Sequence, residues 1–305
     1  MRHKPVLLAE VLENLRLKPG DVVVDGTLGS GGHSMEILQR IGPGGKLVGL
    51  DQDPASIERC QMMFNDAQNV SLFHANFSEF GKVLDSLHIP SVNAVLLDVG
   101  FSSDQLEDAA RGFSFERSGP LDMRMDPDGR TTAWDLVNRL PEEKLEKIFF
   151  EYGEERWGRR FARAICRERE KHSLDTTDDL VNTIEKSLPF IEKNKKNRQF
   201  QKAKRNPATR VFQALRIAVN DELGVLERSL PRIWERIRPQ GRLAVISFHS
   251  LEDRIVKQQF RSWARAEQAL DATRKPIVPS EEEVLTNPRS RSAKLRVVEK
   301  PGGAQ

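Results

Sequence analysis

The chain has 305 residues, 38% hydrophobic and 30% charged, long enough to bury the core of one large domain or two smaller ones. A net charge of only +3, from 48 basic and 45 acidic residues, hides strong local segregation. Two cysteines, Cys60 and Cys166, sit in helical patterns without metal-ligand spacing, which excludes a disulfide scaffold or zinc module and points to a reducing, cytoplasmic setting.

The N-terminal M-R-H-K-P-V-L-L-A-E-V-L-E-N-L starts like a signal peptide, but Glu10 and Glu13 interrupt the apolar run. The pattern predicts an amphipathic helix using Val11, Leu12 and Leu15, and no run approaches the length of a membrane span. Val22 to Ser34 then reads V-V-V-D-G-T-L-G-S-G-G-H-S. This is a β-branched buried strand, an acid, and a glycine-dense turn before a helix that begins near Ser34. Gly29, Gly31 and Gly32 let the backbone take positive φ and lie close to a ligand, while the helix start offers free N–H groups, so a nucleotide-like cofactor fits. The dinucleotide pattern G-x-G-x-x-G fails, because its third glycine would stand at Ser34; a P-loop fails because Gly45-Lys46 is followed by Leu47. An acid closing the strand followed by small residues (Asp25, Thr27, Gly29, Gly31) resembles the first motif of class I S-adenosylmethionine-dependent methyltransferases, with Thr27 where glycine is commoner.

A second strand, Leu47 to Leu50, ends in Asp51, about 20 residues past the glycine turn, where α/β nucleotide-binding sheets place a carboxylate on the ribose hydroxyls. Asp53 before Pro54 suits the N-cap of the next helix, leaving Asp51 as the ribose ligand. A third strand, Val70 to His74, leads to Phe77, placed to pack on an adenine or to serve as core. The fourth, Ala94 to Leu97, ends in Asp98 and continues Val99-Gly100-Phe101-Ser102-Ser103-Asp104-Gln105. Asp98 matches the acid of the D-P-P-[YF] motif of amino-group methyltransferases, with Val99-Gly100-Phe101 in place of Pro-Pro-aromatic. An exocyclic base amine is a poor nucleophile. A carboxylate such as Asp98, with hydroxyls such as those of Ser102 and Ser103, can hold its hydrogens, turn its lone pair toward a methyl group and stabilise developing positive charge.

From Arg111 to about Asn206 the strand–helix alternation stops. A Gly/Pro-punctuated loop containing Met123 and Met125 precedes helices predicted over Thr131–Leu140, Pro141–Tyr152, Glu155–Glu170 and Thr176–Leu188, the last with a capping box from Thr176 to Asp179. The methionines are read as packing beneath the loop. Lys193, Lys195, Lys196, Lys202 and Lys204, with Arg198, Arg205 and Arg210, then face no acid, either as a solvated linker or as a phosphate-backbone footprint shared with Arg289, Arg291, Lys294 and Arg296. The sheet pattern resumes with a long helical run, Thr209 to Ile237, and a strand over Arg242 to Phe248 ending in His249-Ser250-Leu251-Glu252-Asp253. Ser250 and Asp253 read as N-cap and capping-box partner, which leaves His249 as an RNA or substrate contact and makes a metal site from these residues weak. Lys294 to Val298 reads as a closing strand.

Together these segments resemble the bacterial RsmH/MraW methyltransferases. The resemblance runs from H-K-P-V-L-L through D-G-T-L-G-S-G-G-H-S, D-V-G-F-S-S-D-Q-L, R-G-F-S-F and G-P-L-D-M-R-M-D to Y-G-E-E-R, A-T-R-V-F-Q-A-L-R-I, S-F-H-S-L-E-D-R-I-V-K and N-P-R-S-R-S-A-K-L-R. It implies methylation of the N4 amine of a cytidine in small-subunit (16S) ribosomal RNA, with S-adenosylmethionine as cofactor and no metal. It places cofactor contacts at Gly31, Gly32, His33, Asp51, Phe77, Asp98 and Gln105. The sequence departs from the family at Asp104, where proline is usual, and at Val99 and Phe101, commonly leucine and valine; Asp104 leaves the loop without proline's stiffening.

The expected fold is therefore α/β: a Rossmann-like, doubly wound, mostly parallel sheet over residues 1–110 and 207–305, interrupted by an all-helical insertion at 111–206 that recognises RNA. The rival readings are a methyltransferase acting on DNA or protein and a non-catalytic RNA-binding ribosome assembly factor. The partner expected is ribosomal RNA or the assembled small subunit, without a membrane; pairing with a second copy stays open.

Overall fold

The computed structural model describes residues 4–188 and 207–302. Lys193, Lys195, Lys196, Arg198, Lys202, Lys204 and Arg205 lie outside the described residues. The strands in chain order are β1 (Val22–Asp25), β2 (Lys46–Asp51), β3 (Val70–His74), β4 (Val92–Asp98), β5 (Ile237–Ser247), β6 (Leu270–Asp271) and β7 (Lys294–Glu299). The described α-helices are α1 (Leu8–Leu15), α2 (Gly32–Ile41), α3 (Pro54–Met63), α4 (Phe80–Ser86), α5 (Ser103–Glu107), α6 (Ala133–Arg139) and α7 (Glu142–Glu151). They continue with α8 (Gly158–Arg169), α9 (Thr177–Ser187), α10 (Ala208–Asn220), α11 (Glu222–Glu235), α12 (Ser250–Arg265) and α13 (Glu281–Thr286). Two compact units result: one comprises 1–100 with 223–305, the other 101–222.

The first unit is built on a seven-stranded sheet of order β3-β2-β1-β4-β5-β7-β6. β1 to β5 run parallel, and β7 pairs antiparallel with β5 and with β6. The cause is legible in the valines of β1. Neighbours on a strand point to opposite faces, so Val23 and Val24 feed different cores. Val23 joins Leu47, Ala94, Leu96 and Ile246 beneath α1 and α2. Val24 joins Val48, Leu50, Val95, Leu97 and Val245 beneath α4, α11 and α12. Burial on both faces explains why these strands are apolar throughout, and each such side chain contributes about 1.5–3 kcal/mol. Val11, Leu12 and Leu15 form the buried stripe of α1, as its periodicity predicts. Order reversal between β1 and β4 makes their carboxyl ends the crevice of a doubly wound sheet.

The second unit is helical. Leu145 and Phe149 of α7, Phe161 and Ile165 of α8, Leu180 and Ile184 of α9, and Val211, Phe212 and Leu215 of α10 share one core. Met123 and Met125 lie within it, packed as their spacing in the loop predicts. Thr176 caps α9 with Asp179 in a reciprocal capping box, and Thr132 does the same for α6 with Asp135.

Three sequence expectations change. The run from Thr209 to Ile237 is two helices, broken at Asp221 in the left-handed conformation (φ 48°). α10 buries its apolar face in the helical core, so that unit extends past residue 206 to Glu222. β5 starts at Ile237, before Pro239, and absorbs the extra residues through a register shift opposite Val92 and Ala94.

Candidate active site

The carboxyl ends of β1, β2 and β4 gather three carboxylates within the sheet unit. Asp25 closes β1 and is almost fully buried. Its Oδ2 accepts the Ser34 hydroxyl at 2.8 Å and its Oδ1 the Thr27 N–H at 3.2 Å, so it ties the glycine turn to the start of α2. The turn needs its glycines. Gly31 has φ 77°, and a Cβ there would sit 2.9 Å from Cys60 Sγ. A Cβ on Gly32 would overlap the Pro5 ring. Gly29 donates its N–H to Asp51 Oδ2 at 2.7 Å, while Asp51 Oδ1 accepts the Asp53 N–H at 2.8 Å. Asp53 caps α3 through the Ala55 N–H, as expected of an Asp before Pro54. Phe77 opens a short 3-10 turn and is half-buried against the sheet core.

Asp98, at the end of β4, is held differently. Its backbone N–H donates to Thr27 Oγ1 at 2.6 Å, which gives the residue at the usual glycine position a task. Its Oδ1 is buried with no hydrogen-bond partner among the described residues, while Oδ2 lies 3.7 Å from His33 Nδ1. His33 Nε2 is 2.9 Å from the Val6 carbonyl oxygen, which can only accept. Nε2 therefore carries a hydrogen, and a neutral ring turns its Nδ1 lone pair toward Asp98.

Burial pushes the Asp98 carboxyl up to about 8, and the like charges of Asp25 and Glu252 add to it. Burial raises Asp25 to about 6 against the hydrogen bonds from Ser34 and Thr27. Burial also raises Asp51 to about 6, opposed by the Asp53 and Gly29 N–H groups and reinforced by Asp53 and Asp25. The Cys60 thiol registers the same field, pushed up to about 12 by burial and then by Asp25 and Asp51. A cluster of acids so crowded favours a ligand that brings positive charge.

His249 follows β5 on the same unit, but as a cap. Its Nδ1 accepts the Glu252 N–H at 3.4 Å, and Glu252 Oε2 accepts the N–H groups of Phe248 and His249 at 2.8 and 3.2 Å. The capping box is thus His249 with Glu252, one residue earlier than the Ser250–Asp253 pair expected. Asp253 instead receives Lys294 at 3.2 Å and Arg296 at 2.7 Å, so those two cations serve the sheet unit internally. Arg289 and Arg291 stand exposed in a 3-10 turn, Pro288–Ser292. In the helical unit, Arg210 donates to the Glu154 carbonyl at 2.9 Å. Ser102 and Gln105 form a capping box on α5: the Ser102 hydroxyl accepts the Gln105 N–H at 3.2 Å, and Gln105 Oε1 accepts the Ser102 N–H at 2.9 Å. Ser103 is the first residue of that helix. The sequence reading missed Thr27 and Ser34 as the residues that fix Asp98 and Asp25; the signal was a hydroxyl two residues past a strand-closing acid and another at the helix start.

A profile of the MraW methylase family matches residues 1–301. The chain belongs to that family. Its relatives include a protein named Ribosomal RNA small subunit methyltransferase H from Heliobacterium mobile, 45% identical over 98% of both chains. Proteins of the same name from Nitratidesulfovibrio vulgaris and Geobacter sulfurreducens are each 46% identical over 98% of this chain, covering 95% and 98% of their own lengths. The methyl donor of this MraW-type enzyme is S-adenosylmethionine, and the residues present fit it. Its sulfonium and ammonium charges would favour the ionised forms of Asp25, Asp51 and Asp98, whose proton affinities burial has raised, and the unpartnered Asp98 Oδ1 offers an acceptor.

Proposed function

We propose that this chain transfers a methyl group from S-adenosylmethionine to the N4 amine of a cytidine in small-subunit ribosomal RNA. The observation that carries the reading is Asp98: a strand-end carboxylate with one buried oxygen unpartnered, its backbone fixed by Thr27 and its other oxygen facing His33, in a chain of the MraW methylase family.

When bound, the cofactor supplies an electrophilic methyl group on sulfur. The protein's residues do the rest. Asp51, oriented by the Gly29 and Asp53 N–H groups, retains lone pairs for ribose hydroxyls, and Phe77, Gly31, Gly32 and His33 complete the cofactor side. Asp98 Oδ1 accepts an amine hydrogen, which turns the nitrogen lone pair out of conjugation with the ring and stabilises the charge that develops on it. The proton released after transfer can rest on Asp98, whose raised affinity for it suits that role. His33 Nδ1, 3.7 Å from the second oxygen, faces it as an acceptor for the proton that Asp98 takes up. Gln105 belongs to this reading as a cofactor contact, and Ser102 and Ser103 as residues that assist Asp98. Asp25 acts through the turn that it organises.

Methylating a base inside folded RNA requires that base to leave its stack, at a cost of a few kcal/mol that is least in a loop or junction. Arg210, His249, Arg289, Arg291 and the basic tract from Lys193 to Arg205 are the groups read as meeting the backbone. The helical insertion is read as the part that recognises RNA, and the substrate as ribosomal RNA or the assembled small subunit. No helix among the described residues is long and apolar enough to cross a membrane.

The test is incubation of the full chain with methyl-labelled cofactor and separate pools of ribosomal RNA, DNA and protein, followed by nucleoside mass analysis. Label recovered as N4-methylcytidine from small-subunit RNA is the expected result. Label in DNA or protein, at another position of the base, or nowhere, overturns the reading.

A further inference from the structure

The helical unit carries a charged feature of its own, built from residues 156–187. A groove of about 590 Å³ runs along α8 and the end of α9, lined by seven arginines and lysines and one acid, Glu168. We propose that this groove is a binding track for the phosphate backbone of RNA. The proposal rests on the RNA-substrate reading above and assigns part of that recognition to named side chains.

The case begins with the helix itself. Arg159, Arg163 and Arg167 repeat every fourth residue and so share one face of α8, and Lys171 extends the stripe past its end. Like charges at this spacing destabilise an isolated helix. Arg159 and Arg160 also occupy the first turn, where no acid stands and where the helix dipole disfavours cations. Helix stability therefore does not account for the pattern. Packing does not either: Arg163 and Arg159 meet Glu142 and Glu146 at 3.3 and 4.0 Å, but as exposed pairs that contribute little. Lys171 likewise pairs with Glu168 at 2.9 Å near the surface, and Arg167 has no ion pair among the described residues. Arg160, in contrast, donates to the Ser187 carbonyl and fixes one wall of the groove to the end of α9, where Lys186 adds its charge.

Geometry and residue type select the ligand class. From Arg159 to Lys171 the stripe is about 18 Å long, with a charge about every 6 Å, which suits a polymer of regularly spaced anions better than one small anion. Arginine predominates over lysine, and its planar fork pairs with phosphate oxygens through two parallel hydrogen bonds. Trp157 and Ala164 are the apolar residues of the groove's lining, too few for the apolar face with which an interfacial helix enters a lipid surface.

The experiment uses the full chain and a triple variant, Arg163→Gln, Arg167→Gln and Lys171→Gln, with the charge-retaining Arg163→Lys, Arg167→Lys double as control. All three side chains are exposed, and thermal unfolding checks that the fold persists. Binding to in vitro transcribed small-subunit ribosomal RNA is measured across a salt series. Neutralisation should flatten the slope of log K against log salt by roughly 0.7–0.9 for each phosphate that the variant no longer engages. The RNA KM should rise about tenfold or more at 0.15 M salt, with kcat at saturating RNA and cofactor affinity unchanged; the double-lysine control should retain most binding. An unchanged slope and KM overturn the proposal, as does an equal loss of binding to anionic phosphatidylglycerol vesicles or polyglutamate. A wild-type chain that binds RNA with the full slope yet transfers no methyl group would overturn the methyltransferase reading and leave the groove standing.

Discussion

Asp98 is a carboxyl whose proton affinity the fold has raised, and the sign of that shift makes it testable. Its ordinary value of 3.8 is pushed up to about 8 by burial and by the negative charges of Asp25 and Glu252. Because the folded state holds this proton more tightly than the unfolded chain, the stabilisation is complete below about pH 4. It is lost as pH rises through 8. Asp98→Asn removes the ionisation, so the ligand-free variant should melt at the same temperature as wild type near pH 4 and above it near pH 9. Calorimetry across that range decides; a variant less stable at pH 9 would show that Asp98 is not held at a cost. Transfer should fall by about 10²–10³-fold, the loss that follows removal of a preorganised charge-stabilising group. In wild type, kcat/KM for RNA should rise with pH toward a plateau as Asp98 ionises. Profiles flat between pH 6 and 9 would take Asp98 out of the chemistry. Thr27 is the companion test. Thr27→Val leaves the Asp98 N–H unpartnered and should cost about 1–3 kcal/mol of stability and lower kcat while cofactor affinity stays within a few-fold, read by urea unfolding and steady-state kinetics.

At the scale of elements, the join between α10 and α11 shows how a polar pair can organise an apolar unit. Asp221 sits between them in the left-handed region, and Arg216 of α10 reaches Glu222 with two parallel hydrogen bonds of 2.8 and 2.9 Å. Both side chains are nearly buried, and the Arg216 guanidinium also lies over the Phe101 ring at 4.7 Å. Removing one member strands the other charge, so Arg216→Met should cost about 3–5 kcal/mol, whereas adding Glu222→Leu should recover most of it. A double-mutant cycle in urea checks this; a single variant costing less than about 1 kcal/mol would mean that the helix break depends on the backbone alone. This join also marks where the sequence stops being readable. Periodicity runs through Thr209–Ile237, and its two usual helix breakers, Gly224 and Pro231, both fall inside α11, beyond the break, so neither marks Asp221. The pair that makes it is six residues apart and visible only once folded. His249 was obscure for a related reason: histidine is not among the usual caps, and Ser250 beside it is, although Glu252 stands at the right distance from His249. By contrast, Thr176 with Asp179, Asp53 before Pro54 and the valines of β1 follow local rules, and the structure has them where those rules put them.

For the whole molecule, the chain builds two compact units, each with its own apolar core or cores. The cores centred on Val24 and Val23 belong to the sheet unit, and the one around Phe149 and Phe161 to the helical unit. The sheet was legible because strands buried on both faces carry continuous apolar runs that end in acids. The helical unit's boundary was not, because α10 continues the same helical periodicity on both sides of any cut, and only its burial in the second unit's core assigns it. Ligand binding stabilises the segments that hold the ligand by an amount set by its concentration over Kd, about 2.7 kcal/mol at a hundredfold excess. S-adenosylhomocysteine, which lacks the transferable methyl group, should therefore slow amide exchange in Gly26–Ser34, Asp51–Asp53 and Ala75–Phe77, where Gly29 and Asp53 already donate to Asp51. Exchange in α7, α8 and α9 should stay unchanged. Small-subunit RNA fragments should do the reverse, protecting the α8 stripe before any change at the glycine turn. Hydrogen-exchange mass spectrometry on the full chain separates the two patterns. Uniform protection of both units by the cofactor product alone would mean that they open as one cooperative body, and that the division between sheet and helices carries no separation of tasks.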